Sequence, residues 1–473
     1  MESEQTLITR MSGQADTANG SRRHGRMLLL IVAIYCVALC YLSYHRPLSA
    51  DPDYFPDEKW RIQLPLFVYE HGYLPTGYEE EVRIGLWGFS YANYPLLLTT
   101  VVGGFLMKIA GVFTQNPDIL VFAARLVSIG AATVFAWFAM RIGERVFGDP
   151  YGWMFGAFAA LLPQVMFCGL YFNNDIVALA GSAMIVYAWV LALERCWDVR
   201  NVVLLAIGVA VVSLSYYNAY PWILMSFVVY GAVWFHPDRE RKLPQGSELR
   251  RCIRLTVLAI ILVLVCIGPL FIRCAMLNHG DFLGLRTVEE FGNRYGAEGF
   301  SPETRQTPKA LGMSLPEMLT TNHYLGQGNN WLEFTFKSFV GVFGPMSVFL
   351  PTVVYMVYAA IIGLGLVGFV ADVVKTVRKR EYRFRRGLFD TVLAFTALIV
   401  LVLALQYSYA TDYQAQGRYV LPLLLALTYY VVGGWRFLLQ RTCSSERTRY
   451  CCVGVFLGMV IAIVLIGFTV YYW

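Results

Sequence analysis

Three short stretches of this chain place carboxylates and arginines where a proton and an anion could be handled. Pro56-Asp57-Glu58 sets two adjacent carboxylates before a run in which Trp60, Leu64 and Phe67 recur at helical spacing. A carboxylate so placed can take a proton from a hydroxyl, the work of a general base. Asn173-Asn174-Asp175 puts a third carboxylate at the start of an apolar run. Arg125, Arg273 and Arg418 carry planar, permanently charged forks that match a phosphate. Asp57 and Glu58 are therefore the candidate catalytic residues, and Asp175, Asn174, Arg125, Arg273 and Arg418 the candidate substrate- and phosphate-binding set. Asp57 and Asp175 would also be the pair to share a divalent cation if folding brings them together.

Each residue has a plainer reading beside that one. Pro56 at a first helical position, followed by two acids, is a favourable helix start and nothing more. Asn or Asp before an apolar run is a common cap. Arg125, about two turns into its run, can snorkel to headgroups or pair with a carboxylate facing the bundle interior. Asp51 and Asp53 fit an acidic solvated turn, and His71 and His323 stand isolated. The glycines of Ser338-Phe339-Val340-Gly341-Val342-Phe343-Gly344 fit helix packing.

The elements that position these residues lie in lipid. The chain has 473 residues, 57% of them hydrophobic and 15% charged, with a mean hydropathy of +0.52. No soluble protein of this length buries so much apolar surface. The formal charge of +6 comes from short loops between apolar runs, so it reports orientation and headgroup contact, not nucleic-acid binding. Ten cysteines show no metal-ligand spacing and read as small apolar fillers. No phosphate-binding glycine loop, dinucleotide fingerprint or zinc motif occurs. Residues 1–26 are a polar tail, and the apolar run after them, lacking a small-residue cleavage site, reads as a signal anchor.

Apolar runs at about 27–42, 119–140, 151–168, 175–194, 201–216, 219–235, 254–272, 347–371, 388–406, 418–436 and 452–472 are candidate spans. Arginines and lysines crowd alternate short loops, around Arg141–Arg145, Arg195–Arg200, Arg239–Arg254, Lys375–Arg386 and Arg436–Arg449, while the loops at Cys168–Asn174, Tyr216–Tyr220 and Tyr407–Gly417 hold none. The basic set must be cytoplasmic. That parity fails if the apolar run Asn93–Phe113 also crosses. Tyr94-Pro95, Gly103-Gly104 and Lys108 within it suit a re-entrant or interfacial helix. The expectation is an all-α polytopic membrane protein of about eleven spans. A 27–272 module carries the first outer loop, 46–118; a long outer loop follows at 273–345, then the C-terminal helices of 346–473.

The order Pro56-Asp57-Glu58, Asn93-Tyr94-Pro95-Leu96, Arg125-Leu126-Val127-Ser128, Pro163 with Asn173-Asn174-Asp175, and Gln416-Gly417-Arg418-Tyr419 resembles the GT-C class of membrane glycosyltransferases, which includes protein O-mannosyltransferases and lipid A aminoarabinose transferases. Ser338–Gly344 and Gly417-Arg418-Tyr419 look most like a bacterial branch of that class. Its better-studied members carry Pro-Pro where this chain has Tyr94-Pro95. The resemblance implies a GT-C-like bundle in a bacterial plasma membrane. It also implies a polyprenyl-phosphate sugar donor and inversion at the anomeric carbon, with Asp57 as base toward an extracytoplasmic glycan, lipid or protein acceptor. Two other readings stand beside it: a transporter or lipid-linked-sugar flippase, which would want charges near midplane, and a non-catalytic subunit of an envelope complex.

Overall fold

The computed structural model describes residues 25–235, 246–321, 330–381 and 383–473. The N-terminal tail, His323, Arg239, Arg241 and Lys242 lie outside the described residues. Within them the regular elements are helices, apart from one hairpin of two-residue strands.

Eight helices among the described residues are long and apolar enough to cross a membrane: Gly25–Tyr44, Pro117–Phe147, Asp175–Arg195, Ser247–Leu277, Thr352–Arg378, Phe384–Ala410, Leu421–Thr442 and Glu446–Tyr471. Ser247–Leu277 decides the solvent question. Its apolar window has a mean hydropathy of 3.0, yet only 6% of that window is buried against protein. So apolar a surface is stable only in lipid.

The other three expected spans are built differently. Residues 151–168 form Tyr151–Ala160 and then Pro163–Cys168. The break falls at Leu162, which adopts an extended ψ of 123°, because a residue before proline is pushed out of the helical region. Val199–Ser213 and Pro221–Trp234 have 15 and 14 residues, about 21–23 Å at 1.5 Å per residue, short of the hydrocarbon core. They form the expected tight pair around Tyr217–Ala219, with Pro221 opening the second helix. Together with Pro117–Phe147 they enclose Asp175–Arg195, whose apolar window is 78% buried.

The apolar run from Asn93 yields a helix only over Leu98–Gly111. Tyr94 is extended before Pro95, at φ −92° and ψ 157°, which trims the first turn. The 14 residues span about 21 Å. Val101, Val102, Phe105 and Ile109 are exposed on one face. The other face docks on Gln63–His71 through Gly103, Gly104 and Gly111, where the nearest atoms belong to Pro65, Val68, Tyr69 and Phe172.

Contacts at the loop ends place both termini of this helix at one end of the bundle. Asn174, at the head of Asp175–Arg195, donates to the Leu96 carbonyl (3.3 Å). Beyond Gly111, Asp118 at the head of Pro117–Phe147 accepts from the Ser49 hydroxyl (2.7 Å), a few residues past Gly25–Tyr44. The last helix ends there too: the Tyr472 carbonyl accepts from the Tyr54 hydroxyl (3.0 Å) and from Arg46.

The segment 273–345 departs from a simple loop. Ser247–Leu277 carries Arg273 within it, and Leu285–Tyr295, Leu315–Thr320 and Trp331–Val340 follow. Ser314 and Glu317 cap Leu315–Thr320 reciprocally, as expected. The glycine-rich run then forms the hairpin, Val342 opposite Phe349 and Phe343 opposite Val348, so the next span begins at Thr352.

Overpacking tests how Leu98–Gly111 is seated. A Cβ on Gly104 would lie 2.6 Å from Val68 Cγ1, so Gly104→Val should cost about 1–3 kcal/mol and lower the melting temperature of purified protein. Val102→Leu, on the exposed face, should leave it unchanged.

Candidate active site

Asp57 stands where the local backbone turns into Glu58–Arg61, with φ 61° and ψ −2°, in the left-handed region. Asp tolerates that region better than most residues, at some cost. Its side chain does not cap the helix. It pairs instead with Arg418, Oδ2 to Nη1 2.7 Å. The plain cap reading of the sequence thus gives way to a long-range ion pair, and Pro56 precedes the helix instead of opening it. Burial alone pushes the Asp57 carboxyl up, but Arg418 and Arg61 and the hydrogen bond from Arg418 hold it, net, below the usual carboxylate range.

Glu58 turns the opposite way and is fully buried, 0% exposed, against Arg125 at 1%. The two form a bidentate pair, Arg125 Nε to Oε1 2.8 Å and Nη2 to Oε2 2.5 Å. Oε1 also accepts from the Phe172 backbone (2.7 Å). Arg125 Nη1 donates to the Ser43 and Arg46 carbonyls (3.1 and 2.7 Å), and its guanidinium lies 4.8 Å over the Phe55 ring. Neither residue faces the open cleft. Arg125 neither snorkels nor has a fork left for a phosphate; with Glu58 it welds the first loop to the core.

Arg418 is aimed by its neighbour. The Gly417 N–H donates to the Ser338 hydroxyl (2.6 Å), and a Cβ on Gly417 would sit 2.0 Å from the Phe339 nitrogen. Only glycine allows that approach. The Ser338–Gly344 and Gly417-Arg418-Tyr419 motifs are therefore one structure, and Ser338 sets the backbone that presents Arg418.

Asp175 is buried, and its carboxylate takes no hydrogen bond or ion pair among the described residues. Capping falls to Asn173, whose side-chain oxygen accepts from the Asp175 and Ile176 nitrogens (3.0 and 3.2 Å). Asn174 accepts from the Thr99 hydroxyl (2.5 Å) and anchors the Leu98–Gly111 helix. The charges of Arg418, Arg61 and Asp57 all act on Asp175. Arg61, which the sequence reading passed over, has a buried Nε without a hydrogen-bond partner and stacks 4.4 Å over the Tyr91 ring. Its spacing four residues after Asp57 was the available signal. Arg273 lies elsewhere, donating to the Leu74 and Pro75 carbonyls (3.1 and 2.6 Å).

Asp57 and Arg418 open onto a cleft of about 450 Å³ lined by Trp60, Trp87, Phe89, Tyr91, Tyr94, Tyr407 and Tyr419, with Glu289, Arg305 and Asp412 among them. Aromatic faces beside carboxylates suit a ring bearing hydroxyls and apolar C–H faces. Asp412, held by Gln414 at 2.6 Å, is raised by burial above the usual carboxylate range. No group of three His, Cys, Asp or Glu among the described residues could hold a metal ion. Arg418 and Arg61 both act on Asp57 and on Asp175, and a set holding two guanidiniums suits an anion better than a divalent cation. Asp53 pairs with Lys59 and His71 with Glu81 (3.4 Å), both at the surface. All ten cysteines are free.

Residues 69–427 match the family described as predicted membrane protein (DUF2142), and the chain belongs to that family. No curated protein matches it. Among solved structures it is similar to ArnT from Cupriavidus metallidurans bound to undecaprenyl phosphate, with 15% identity over 86% of this chain and 59% of that one and a TM-score of 0.47. It is also similar to the oligosaccharyltransferase AglB from Archaeoglobus fulgidus in complex with an inhibitory peptide and a dolichol-phosphate, with 10% identity over 93% and 55% and a TM-score of 0.46. The chain spans between half and two thirds of the length of these structures.

Breaking the buried pair should be far costlier than disturbing the cleft. Arg125→Met leaves the Glu58 carboxylate uncompensated and should cost about 3–5 kcal/mol, seen as loss of folded protein on size exclusion. Arg418→Gln should retain the folded peak.

Proposed function

We propose that this chain is a GT-C membrane glycosyltransferase that moves a sugar from a polyprenyl-phosphate-linked donor to an extracytoplasmic glycan, lipid or protein. In this reading the basic loop ends face the cytoplasm and the cleft faces away from it. The observation that carries the proposal is the Asp57–Arg418 pair, 2.7 Å apart at the edge of an aromatic-lined cleft. It joins a base to an anion-binding group in one place. The motif order of the sequence supports the same class.

The chemistry follows from those two groups. The donor phosphate draws the Arg418 guanidinium, with Arg61 beside it, by charge-assisted hydrogen bonds. Asp57 then loses its counterion to the substrate and accepts a hydrogen bond from the acceptor hydroxyl. That oxygen bonds to the anomeric carbon while its proton passes to Asp57. The bond from the same carbon to the phosphate oxygen breaks, and the electron pair leaves with the polyprenyl phosphate, whose charge Arg418 and Arg61 stabilise. Attack opposite the leaving group inverts the carbon. Asp175 balances the second guanidinium, and the aromatic wall holds the sugar. Charges gathered at one end of the bundle, not at midplane, favour this over transport.

Asp57→Asn should lower turnover by about 10²–10⁴-fold with unchanged membrane insertion, measured with purified protein and a panel of polyprenyl-phosphate sugars; undiminished turnover would overturn the assignment. Asp57 works only when ionised, so kcat/KM should fall as pH drops through its depressed value. Arg418→Gln removes the larger lowering charge and its hydrogen bond and leaves Arg61 alone against burial, so the acid limb of the pH profile should move to higher pH.

A further inference from the structure

A second cavity lies at the opposite end of the bundle, about 30 Å along Pro117–Phe147 from Arg125 at 1.5 Å per residue. Its volume is about 490 Å³, and it opens among Arg145, Arg385, Arg386 and Arg436 on three helices. Its floor is aromatic: Tyr429 packs against Phe147, Phe369 and Phe389 at ring-centroid distances of 5.6, 5.9 and 5.1 Å.

The charges at the mouth do not cancel. Arg145 pairs with Glu194 (2.6 Å) and Arg386 with Asp372 (2.6 Å). Asp390, behind them, is engaged by Tyr429 (2.5 Å) and Arg386 (3.5 Å). Arg385 and Arg436 find no carboxylate among the described residues. Arg441 and Lys375 add to the rim, 4.5 and 5.7 Å from the Phe437 ring that lines the cavity. A pocket between transmembrane helices, apolar inside and cationic at the headgroup level, fits a molecule with an anionic head and an apolar body.

We infer that this cavity binds an anionic phospholipid of the adjacent leaflet, its phosphate on Arg385 and Arg436 and its glycerol and upper acyl atoms over the Tyr429 floor. The site is separate from the cleft at Asp57 and needs no glycosyl transfer to be detected.

The test uses full-length protein in neutral detergent and native mass spectrometry, with phosphatidylglycerol as probe, phosphatidylcholine as the zwitterionic control of zero net charge and inorganic phosphate as competitor. Wild type should retain phosphatidylglycerol and not phosphatidylcholine. R385Q/R436Q should weaken retention about thirtyfold, the loss expected for two guanidinium–headgroup contacts. Arg250→Gln, exposed at the start of Ser247–Leu277, should leave it unchanged. Arg385 is exposed, so R385Q alone should still show a clear loss if the double variant folds poorly. Equal retention of both lipids, or no effect of R385Q, would overturn the site. Displacement of the lipid by millimolar inorganic phosphate would reassign it to a free anion.

Discussion

The buried pair between Glu58 and Arg125 is the constraint on which the rest of the site depends. Two charges removed from water are stable together only when geometry and extra hydrogen bonds are nearly complete. Here Arg125 makes four hydrogen bonds, two to Glu58 and two to the Ser43 and Arg46 carbonyls, and Glu58 accepts one more from the Phe172 backbone. The pair pins Glu58–Arg61 to Pro117–Phe147, directly after the left-handed turn at Asp57. With Glu58 committed inward, its neighbour is forced outward. One acid is spent on rigidity so that the next can meet Arg418.

The same economy recurs across the bundle. Asn173 takes the helix cap and releases Asp175; Asn174 holds the short embedded helix. Ser338 accepts the Gly417 N–H and so aims Arg418. In each case a neutral polar residue does the structural task, and a charged one beside it is left for the shared electrostatic cluster. The cluster itself alternates sign, Asp57, Arg418, Asp175 and Arg61, which lowers the cost of keeping four charges at the edge of lipid.

Much of this was legible in the chain before any fold was known. The arginine-rich alternate loops sorted helix ends into two groups, and the observed contacts gather Ser49, Asp57, Asp118, Asn174 and Tyr472 at one of them. The run from Asn93 was readable as re-entrant or interfacial because a crossing there would break the parity of the basic loops, and its proline and paired glycines were compatible with that. What could not be read was direction. Adjacent acids look alike in sequence, and only a partner 67 residues away decides that Glu58 faces inward. Arg125 was read as the partner of a carboxylate or a phosphate facing the bundle interior, and depth alone does not choose between them; it pairs with Glu58. Arg61 was missed because an arginine four residues past an acid reads as an ordinary surface pair, and Ser338 because its partner is a backbone nitrogen in another motif.

The contact between Gly417 and Phe339 runs main chain to main chain. The backbone that presents the Arg418 guanidinium is set by that close approach and by the Ser338 hydroxyl. Side chains of the aromatic wall can therefore change without moving the backbone at Arg418, whereas a single methyl group at residue 417 would displace it.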